Sequence, residues 1–589
     1  PVKKRSNQSA NRRTPKAPPI LIQWRFGLVC VFISLALVAL VARAAFIQVI
    51  EPDRLRHEGD LRSIRTEQMH SARGMITDRQ GEALAISVPV QAVWADPVTV
   101  FKHQGLKNVD RWHALADVLG LDRQALIDKI QANRQRRFIY LQRQVRPAMA
   151  AYVNKLELPG VGLKAESRRF YPSAEVSAHL VGMTGIDGHG LEGIERRFDD
   201  WLAGEHGKRT VRKDRFGRVV EHIATEDKKE GQPLTLSIDQ RLQAIAYRAI
   251  KQAVADYRAT SGSLVMVDVK TGEVMAMVNA PSYNPNNRSS LKSFNMRNRA
   301  ITDVFEPGST MKPFVVLTAL ENGVADMDTV IDTGNGIMQI GGSRVRDVSK
   351  VGKANLARIL KKSSNIGVSK LSLAMPVETL LGEYGSFGLG TSTGVELVGE
   401  SVGHFPSRRR WSDFERANLA FGYGLSVTPT QLVRAYATLG SLGINRPLSI
   451  LKREGVTEGK QVASRENAYK VLQMLEGVTQ EGGSARRAAV DGYRVGAKTG
   501  TAKVAVAGGY GDEYIGYTAG LAPISDPKLA MVVVINEPQG DKYYGGQVAA
   551  PVFSSVMKSA LQILNIAPDA GTGPALQVAK HANEVNGNE

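Results

Sequence analysis

The distribution of apolar and polar positions divides this chain into stretches of different period. The first is a run without a charge from Phe26 to Ala42, resumed by Ala44–Ile50 after Arg43. A helix needs about 20 apolar residues to span a membrane, and a single arginine within the run can reach the interface with its head group. The run therefore predicts a transmembrane anchor over 26–48. Ala42-Arg43-Ala44 also resembles a small-x-small cleavage site, so a removed signal peptide is the competing reading. Secretory apolar cores are shorter, about 7–15 residues, which favours an uncleaved anchor. Residues 1–25 are polar and basic, and read as a disordered tail kept in the cytoplasm. On either reading the bulk of the chain is exported.

Residues 51–230 alternate between short strand and helix patterns. Arg73–Gly81 reads as a strand and a turn, and Trp112–Leu119 and Arg123–Asn133 have helical spacing on either side of Gly120. No cluster of acids or histidines in this region suggests chemistry, so a folding or docking module is expected. From Leu234 the pattern changes. Leu234–Ile238 predicts a strand and Gln240–Ala255 a helix, while Ser263–Val269 and Glu273–Val278 predict a hairpin turning at Lys270-Thr271-Gly272. A helical middle follows, then strands at Tyr517–Leu521 and Lys528–Asn536. Strands first, helices between and strands last indicate an α+β domain, expected over 234–566. Residues 567–589 read as a disordered tail.

Charge and composition narrow the function classes. The net charge is +19 over 589 residues; the first fifty hold eight Lys or Arg and no Asp or Glu. The remaining excess is dispersed rather than gathered in a stripe with aromatics, which argues against nucleic acid and for an anionic membrane or polymer. One cysteine, Cys30, permits no intrachain disulfide and no cysteine-based metal site. No His-Glu-x-x-His and no P-loop occurs, so no cofactor and no metal is implied.

Chemistry is suggested by Phe305–Pro313, where Ser309 precedes Lys312 and an apolar run, Phe314 to Leu320. Pro307-Gly308 predicts the start of a helix. Positions i and i+3 share a helix face, which would set the Lys312 amine beside the Ser309 hydroxyl. A hydroxyl needs a base to become a nucleophile, and burial favours a neutral, basic lysine. Ser-x-x-Lys recurs at Ser289, Ser449, Ser525 and Ser555, so context must select among them. Only Ser309 has both an apolar helix behind it and, in order, a Ser-x-Asn (Ser363-Ser364-Asn365) and a Lys-Thr-Gly (Lys498-Thr499-Gly500) after it. The ordered set Ser-x-x-Lys, Ser-x-Asn, Lys-Thr-Gly is a known signature of penicillin-recognising serine enzymes. Ser364 stands where that signature is often written with Asp.

With Arg73–Gly81, Arg169–Pro172, Ala178–Gly182, Glu306–Pro313, Ser363–Asn365, Gly422-Tyr423-Gly424 and Lys498–Ala502, the chain resembles the class B penicillin-binding proteins over residues 20–565, and most the septal transpeptidases of Gram-negative bacteria. The resemblance implies an antiparallel transpeptidase domain of serine β-lactamase type on an elongated α+β pedestal (51–230, of the dimerisation type), and peptidoglycan stem peptides and β-lactams as ligands. It also implies septal location in the inner membrane and partnership with a membrane-embedded FtsW-like glycosyltransferase of the SEDS type and other divisome proteins. By the same resemblance Ser309 is the nucleophile, Lys312 its base, Ser363 a proton relay and Lys498 a positive charge beside them. Asn365, Thr499 and Thr501 would bind substrate, and Gly500 would leave room for it. Tyr423, Tyr517, Tyr543 and Tyr544 would form pocket walls. An elongation-type transpeptidase, a carboxypeptidase or β-lactamase, and a β-lactam sensor are the alternatives. The Glu-x-x-Leu-Asn of a deacylating β-lactamase is absent between Ser363 and Lys498.

Overall fold

The computed structural model describes residues 23–571 apart from 70, 215–217 and 507–508. The basic tail expected at the start and the tail expected from 567 therefore lie outside the described residues up to 22 and beyond 571. Contacts divide the chain into two compact units, His206–Lys228 joining the N-terminal stretch to Met69 and the rest forming the other. The segment 51–230 thus contributes to both.

In the N-terminal unit the apolar run forms a helix, Gln23–Ala45, continued by a π-helical turn, Phe46–Ile50. It is long and apolar enough to cross a membrane between Trp24 and Val49, and its side chains are exposed. A helix apolar all round, with none of the described residues packed over it, is suited to lipid. A second helix, Pro52–Ser63, leads into a three-stranded antiparallel sheet in the order Ile64–Met69, Gly207–Lys213, Val219–Glu226.

The larger unit contains two five-stranded sheets. In one, the long strand Ala83–Ala95 pairs with Ile139–Val145 and Val161–Phe170, and Ile76–Thr77 joins it to Leu234–Thr235. The strand expected at Leu234–Ile238 is only two residues long, because Ser237 and Asp239 turn away: the Ser237 hydroxyl donates to the carbonyls of Val274 and Ser449, and Asp239 caps the next helix. Close by, Glu195 is fully buried and accepts from Arg73 Nε (2.5 Å) and Arg169 Nε (2.6 Å). Arg73 also pairs with Asp199 at 2.6 Å, so two cations meet two anions. Arg169 then donates to the Gly74 carbonyl at 2.7 Å, tying the strand ends together.

The second sheet carries the candidate chemistry. Its strands are β1 (Ser261–Asp268), β2 (Val274–Ala280), β3 (Gly496–Val506), β4 (Gly509–Ala522) and β5 (Leu529–Asn536), in the order β2-β1-β5-β4-β3 and antiparallel throughout. The expected hairpin is β1–β2. Strands β1, β2 and β5 are buried almost from end to end, which is why they read as continuous apolar runs rather than alternating ones. Helices cover both faces: α1 (Gln240–Asp256), α2 (Lys312–Glu321), α3 (Leu356–Lys362), α4 (Asn365–Leu373), α5 (Pro429–Gly440), α6 (Arg465–Thr479) and α7 (Ala550–Ile563) complete the parts used below. Helices α1 and α7 pack together on the sheet, as do α5 and α6, the latter against β3. Among the described residues β3 has no strand beyond it, so it is an edge strand of the sheet.

Candidate active site

Ser309 lies in a 3-10 turn, Gly308–Met311, that runs directly into α2. Residues Lys312 to Leu320 of α2 are buried on all sides, so this is a core helix without a polar stripe. Gly308 has φ +50, and a Cβ there would strike the Tyr517 hydroxyl. That hydroxyl donates to the Glu306 carbonyl at 2.8 Å and holds the turn from below. The Glu306 carboxylate accepts from Gly424 N (2.9 Å) and from the Tyr510 hydroxyl (2.9 Å), joining the turn to the 422–424 loop and to the β3–β4 hairpin.

Ser363 is the corner between α3 and α4. It caps α3 in the left-handed conformation, φ +58, a region where glycine is the usual occupant. Its hydroxyl lies 3.2 Å from Ser309 Oγ, 3.1 Å from Lys312 Nζ and 2.9 Å from Lys498 Nζ. Ser364 departs from the expected Asp, yet it caps α4 by accepting from Gly367 N at 2.9 Å, and it donates to Asp347 Oδ2 at 2.7 Å. Asp347 also accepts from Ile366 N at 3.0 Å and so anchors the corner. Asn365 Oδ1 accepts from Lys312 at 2.7 Å, while its Nδ2 donates to the Arg346 carbonyl at 2.8 Å.

The amine of Lys312 is not where helical spacing alone would set it. Among the described residues it makes no hydrogen bond to Ser309; it reaches the Ser363 carbonyl (2.6 Å), Ser363 Oγ and Asn365 Oδ1. Two acceptors on the α3–α4 corner draw it there, and Ser363 stands between it and Ser309. Lys498 projects from β3 to the same hydroxyl and also approaches Ser484 Oγ at 3.4 Å. Both amines are fully buried. Burial lowers the Lys312 pKa well below the usual lysine value, the neighbouring Lys498 lowers it further, and Asp347 opposes the shift. Burial pushes Lys498 down to about 7.

Family comparison agrees with this geometry. The family model described as "Penicillin binding protein transpeptidase domain" matches residues 262–558, and "Penicillin-binding Protein dimerisation domain" matches 68–236. The chain belongs to the class B penicillin-binding proteins. Among relatives, "Peptidoglycan D,D-transpeptidase FtsI" of Escherichia coli (strain K12) is 54% identical over 552 residues, 94% of each chain. "Probable peptidoglycan D,D-transpeptidase PbpC" of Pseudomonas aeruginosa is 40% identical over 548 residues, 93% of this chain and 96% of that one. Among solved structures, a peptidoglycan synthetase from Bifidobacterium adolescentis aligns at a TM-score of 0.68 and 25% identity, covering 87% of this chain and 99% of that one. The transpeptidase domain of Burkholderia pseudomallei penicillin-binding protein 3 aligns at 0.53 and 38% identity, covering 57% of this chain and 98% of that one.

In this penicillin-binding protein a cavity of about 680 Å³ opens over Ser309. Ser363, Asn365, Thr499, Gly500, Thr501, Tyr423 and Tyr544 line it, with Lys312 and Lys498 beneath. Thr501 Oγ1 accepts from Gly545 N at 3.0 Å, which sets the 545–547 loop against β3. Three expectations need correction. Tyr517 is no pocket wall: it is fully buried, with its ring under β3. The missing Gly500 side chain makes room for that ring, since a Cβ there would overlap it, rather than for a ligand. Tyr543 is not on the lining either; it stacks between Tyr514 (centroids 4.3 Å) and Tyr544 (4.4 Å). Sequence reasoning missed Asp347, Ser484 and Tyr510, which carry no motif and meet the site only through folding. It also missed the basic rim of Lys361, Lys362, Arg486 and Arg487; its dispersed charge in the sequence hid the cluster.

Proposed function

We propose that this protein is a serine-type peptidoglycan D,D-transpeptidase, acylated by β-lactams at the same residue. The observation that carries the reading is the buried chain of contacts Ser309–Ser363–Lys312, with Lys498 on the same Ser363 hydroxyl. A neutral Lys312 spends its two N–H groups on the Ser363 carbonyl and Asn365 Oδ1, so its lone pair faces Ser363 Oγ. Hydroxyl hydrogens rotate freely, so the Ser309 proton passes to Ser363 as the Ser363 proton passes to Lys312. Ser309 Oγ then attacks the carbonyl of the penultimate D-Ala of a stem pentapeptide. The C–N bond to the terminal D-Ala breaks, its nitrogen takes the proton back through Ser363, and an ester remains on Ser309. An amine of a neighbouring stem peptide attacks that ester, forming the crosslink and freeing Ser309.

The edge strand β3 offers its open backbone to an extended peptide. The substrate's terminal carboxylate lies against Thr499 and Thr501, and Asn365 bonds a substrate amide. The backbone N–H groups of Ser309 and Thr501 form the oxyanion hole, where one donor is worth about 10²–10³ in rate. The basic rim draws in anionic stem peptides. Among the described residues no carboxylate lines the cavity, so the ester lacks a group there to activate water and persists until an amine arrives. The high identity to a protein named FtsI supports a role at the division septum, with the helix Gln23–Ala45 as a single-pass inner-membrane anchor, the bulk in the periplasm and an FtsW-like polymerase as partner.

Fluorescent penicillin labelling followed by mass spectrometry tests this. The adduct is expected on the peptide containing Ser309 and to survive a chase of minutes. An adduct on the Ser289, Ser449, Ser525 or Ser555 peptide, or turnover within seconds, would overturn the assignment.

A further inference from the structure

A second cavity, of about 880 Å³, lies where the β1–β2 and β4–β5 turns meet the end of α5 and the start of α6. It shares no residue with the cavity over Ser309. Leu442, Ile524 and Pro527 supply apolar wall, and Val456 and Tyr469, 68% and 43% exposed, face the same space. Large apolar side chains around an unfilled concavity of this size are the usual setting of a small-molecule site.

The charges there do not balance. Glu466 is committed to Lys470 at 2.6 Å, and Asp526 to Lys528 and Lys270. That leaves two guanidinium groups. Arg446 donates from Nε to the Thr457 carbonyl at 2.8 Å, its NH1 is buried without a partner, and it has no ion pair among the described residues. Arg465 likewise forms no hydrogen bond or ion pair among the described residues, although it is the first residue of the 15-residue helix α6. A cation at a helix N-terminus is opposed by the helix dipole; at this one the Glu321 carboxylate accepts from Ser464 N, Ser464 Oγ and Asn467 Nδ2, but Arg465 itself is not paired with it. Guanidinium pairs carboxylate oxygens in parallel, as an amine cannot.

We propose that this cavity is a second ligand site, for a small amphipathic carboxylate whose aromatic or aliphatic body fills the apolar wall and whose anionic end meets Arg446 and Arg465. The test uses the full chain in lipid nanodiscs, with Ser309 first acylated by penicillin so that the other cavity is closed. The probes are 4-(trifluoromethyl)phenylacetate and its neutral amide, followed by fluorine NMR relaxation against empty nanodiscs. Saturable binding of the carboxylate is expected, with the amide weaker by about tenfold, a difference of about 1.4 kcal/mol. Arg465→Glu should weaken the carboxylate by at least about fivefold and leave the amide unchanged, as expected when one charge contact is removed. Arg465→Gln gives the same reading should Arg465→Glu fail to label with penicillin. Leu442→Trp, which crowds the apolar wall, should weaken both. Absence of saturable binding, equal affinity for acid and amide, or wild-type affinity in both Arg465 variants would overturn the proposal.

Discussion

Ser363 holds the most constrained position in the site, because two lysines and the nucleophile all depend on one hydroxyl. The lysines have opposite tasks there. Lys312 must lose its proton to act as base, and burial together with Lys498 favours that loss. Lys498 contributes charge, but burial has lowered it to about 7. Of two interacting amines, the one with the added repulsion deprotonates first, and the pair titrates in two joint steps. Penicillin acylation should therefore rise with pH as Lys312 becomes neutral, then fall above about 7 as Lys498 loses its proton. Lys498→Arg stays charged, so it should keep substantial activity and lose the alkaline fall. Lys312→Arg cannot accept a proton and should nearly abolish acylation at every pH. The check is the second-order acylation rate against pH for both variants, each shown to be folded by its thermal midpoint. An inactive Lys498→Arg, or an active Lys312→Arg, would reverse the roles. Ser363→Ala breaks the relay and should cost about 10²–10⁴ in the same rate, the usual worth of positioned proton transfer.

At the scale of elements, the candidate catalytic groups come from three pieces that end at one point: the turn before α2, the α3–α4 corner, and the edge strand β3. Edge strands ordinarily invite unwanted pairing; here the edge strand borders the cavity, where the proposed peptide would pair with it. Elsewhere the Arg73–Glu195–Arg169 group holds separate strand ends together through a fully buried carboxylate. Removing one member leaves charge buried and unpaired, which costs about 3–5 kcal/mol. Glu195→Ala should therefore lower thermal stability strongly, while any protein that remains folded is acylated at the wild-type rate. Melting curves and acylation rates on the same preparation separate the two; an unchanged midpoint would show that the group is not structural.

For the whole molecule, the anchoring helix and the large unit live in different solvents. Gln23–Ala45 exposes Phe32, Leu40 and their neighbours on every side, a surface suited to lipid. Basic residues before the run predict that the N-terminal end stays inside the cell. Protease added to spheroplasts should digest the large unit and spare residues 1–25; an N-terminus near Ala45 in the mature protein would contradict an uncleaved anchor. How much of this was legible beforehand depends on the range of the forces involved. The anchor, the β1–β2 hairpin, α1 and the core strand β5 were readable because period and turn chemistry are local. Ser309, Lys312, Ser363 and Lys498 were readable because the signature preserves their order. The roles of the tyrosines were not: a strand pattern at Tyr517 and a polar, glycine-rich stretch at Tyr544 do not say that the first is buried beneath Gly500 and the second stands at the cavity mouth. Nor was the route from Ser309 to Lys312 readable, since the spacing within one turn says nothing of the acceptors that α3 and α4 bring to the amine. Sequence alone determined most elements and the apolar helix at the N-terminal end, because period and turn chemistry rest on residues near one another, and it named the candidate reacting groups through the order of the signature. Tertiary structure alone decided which hydroxyl receives the lysines, which amines lose their charge and which edge of the sheet is open, because burial and pairing arise only when distant segments pack.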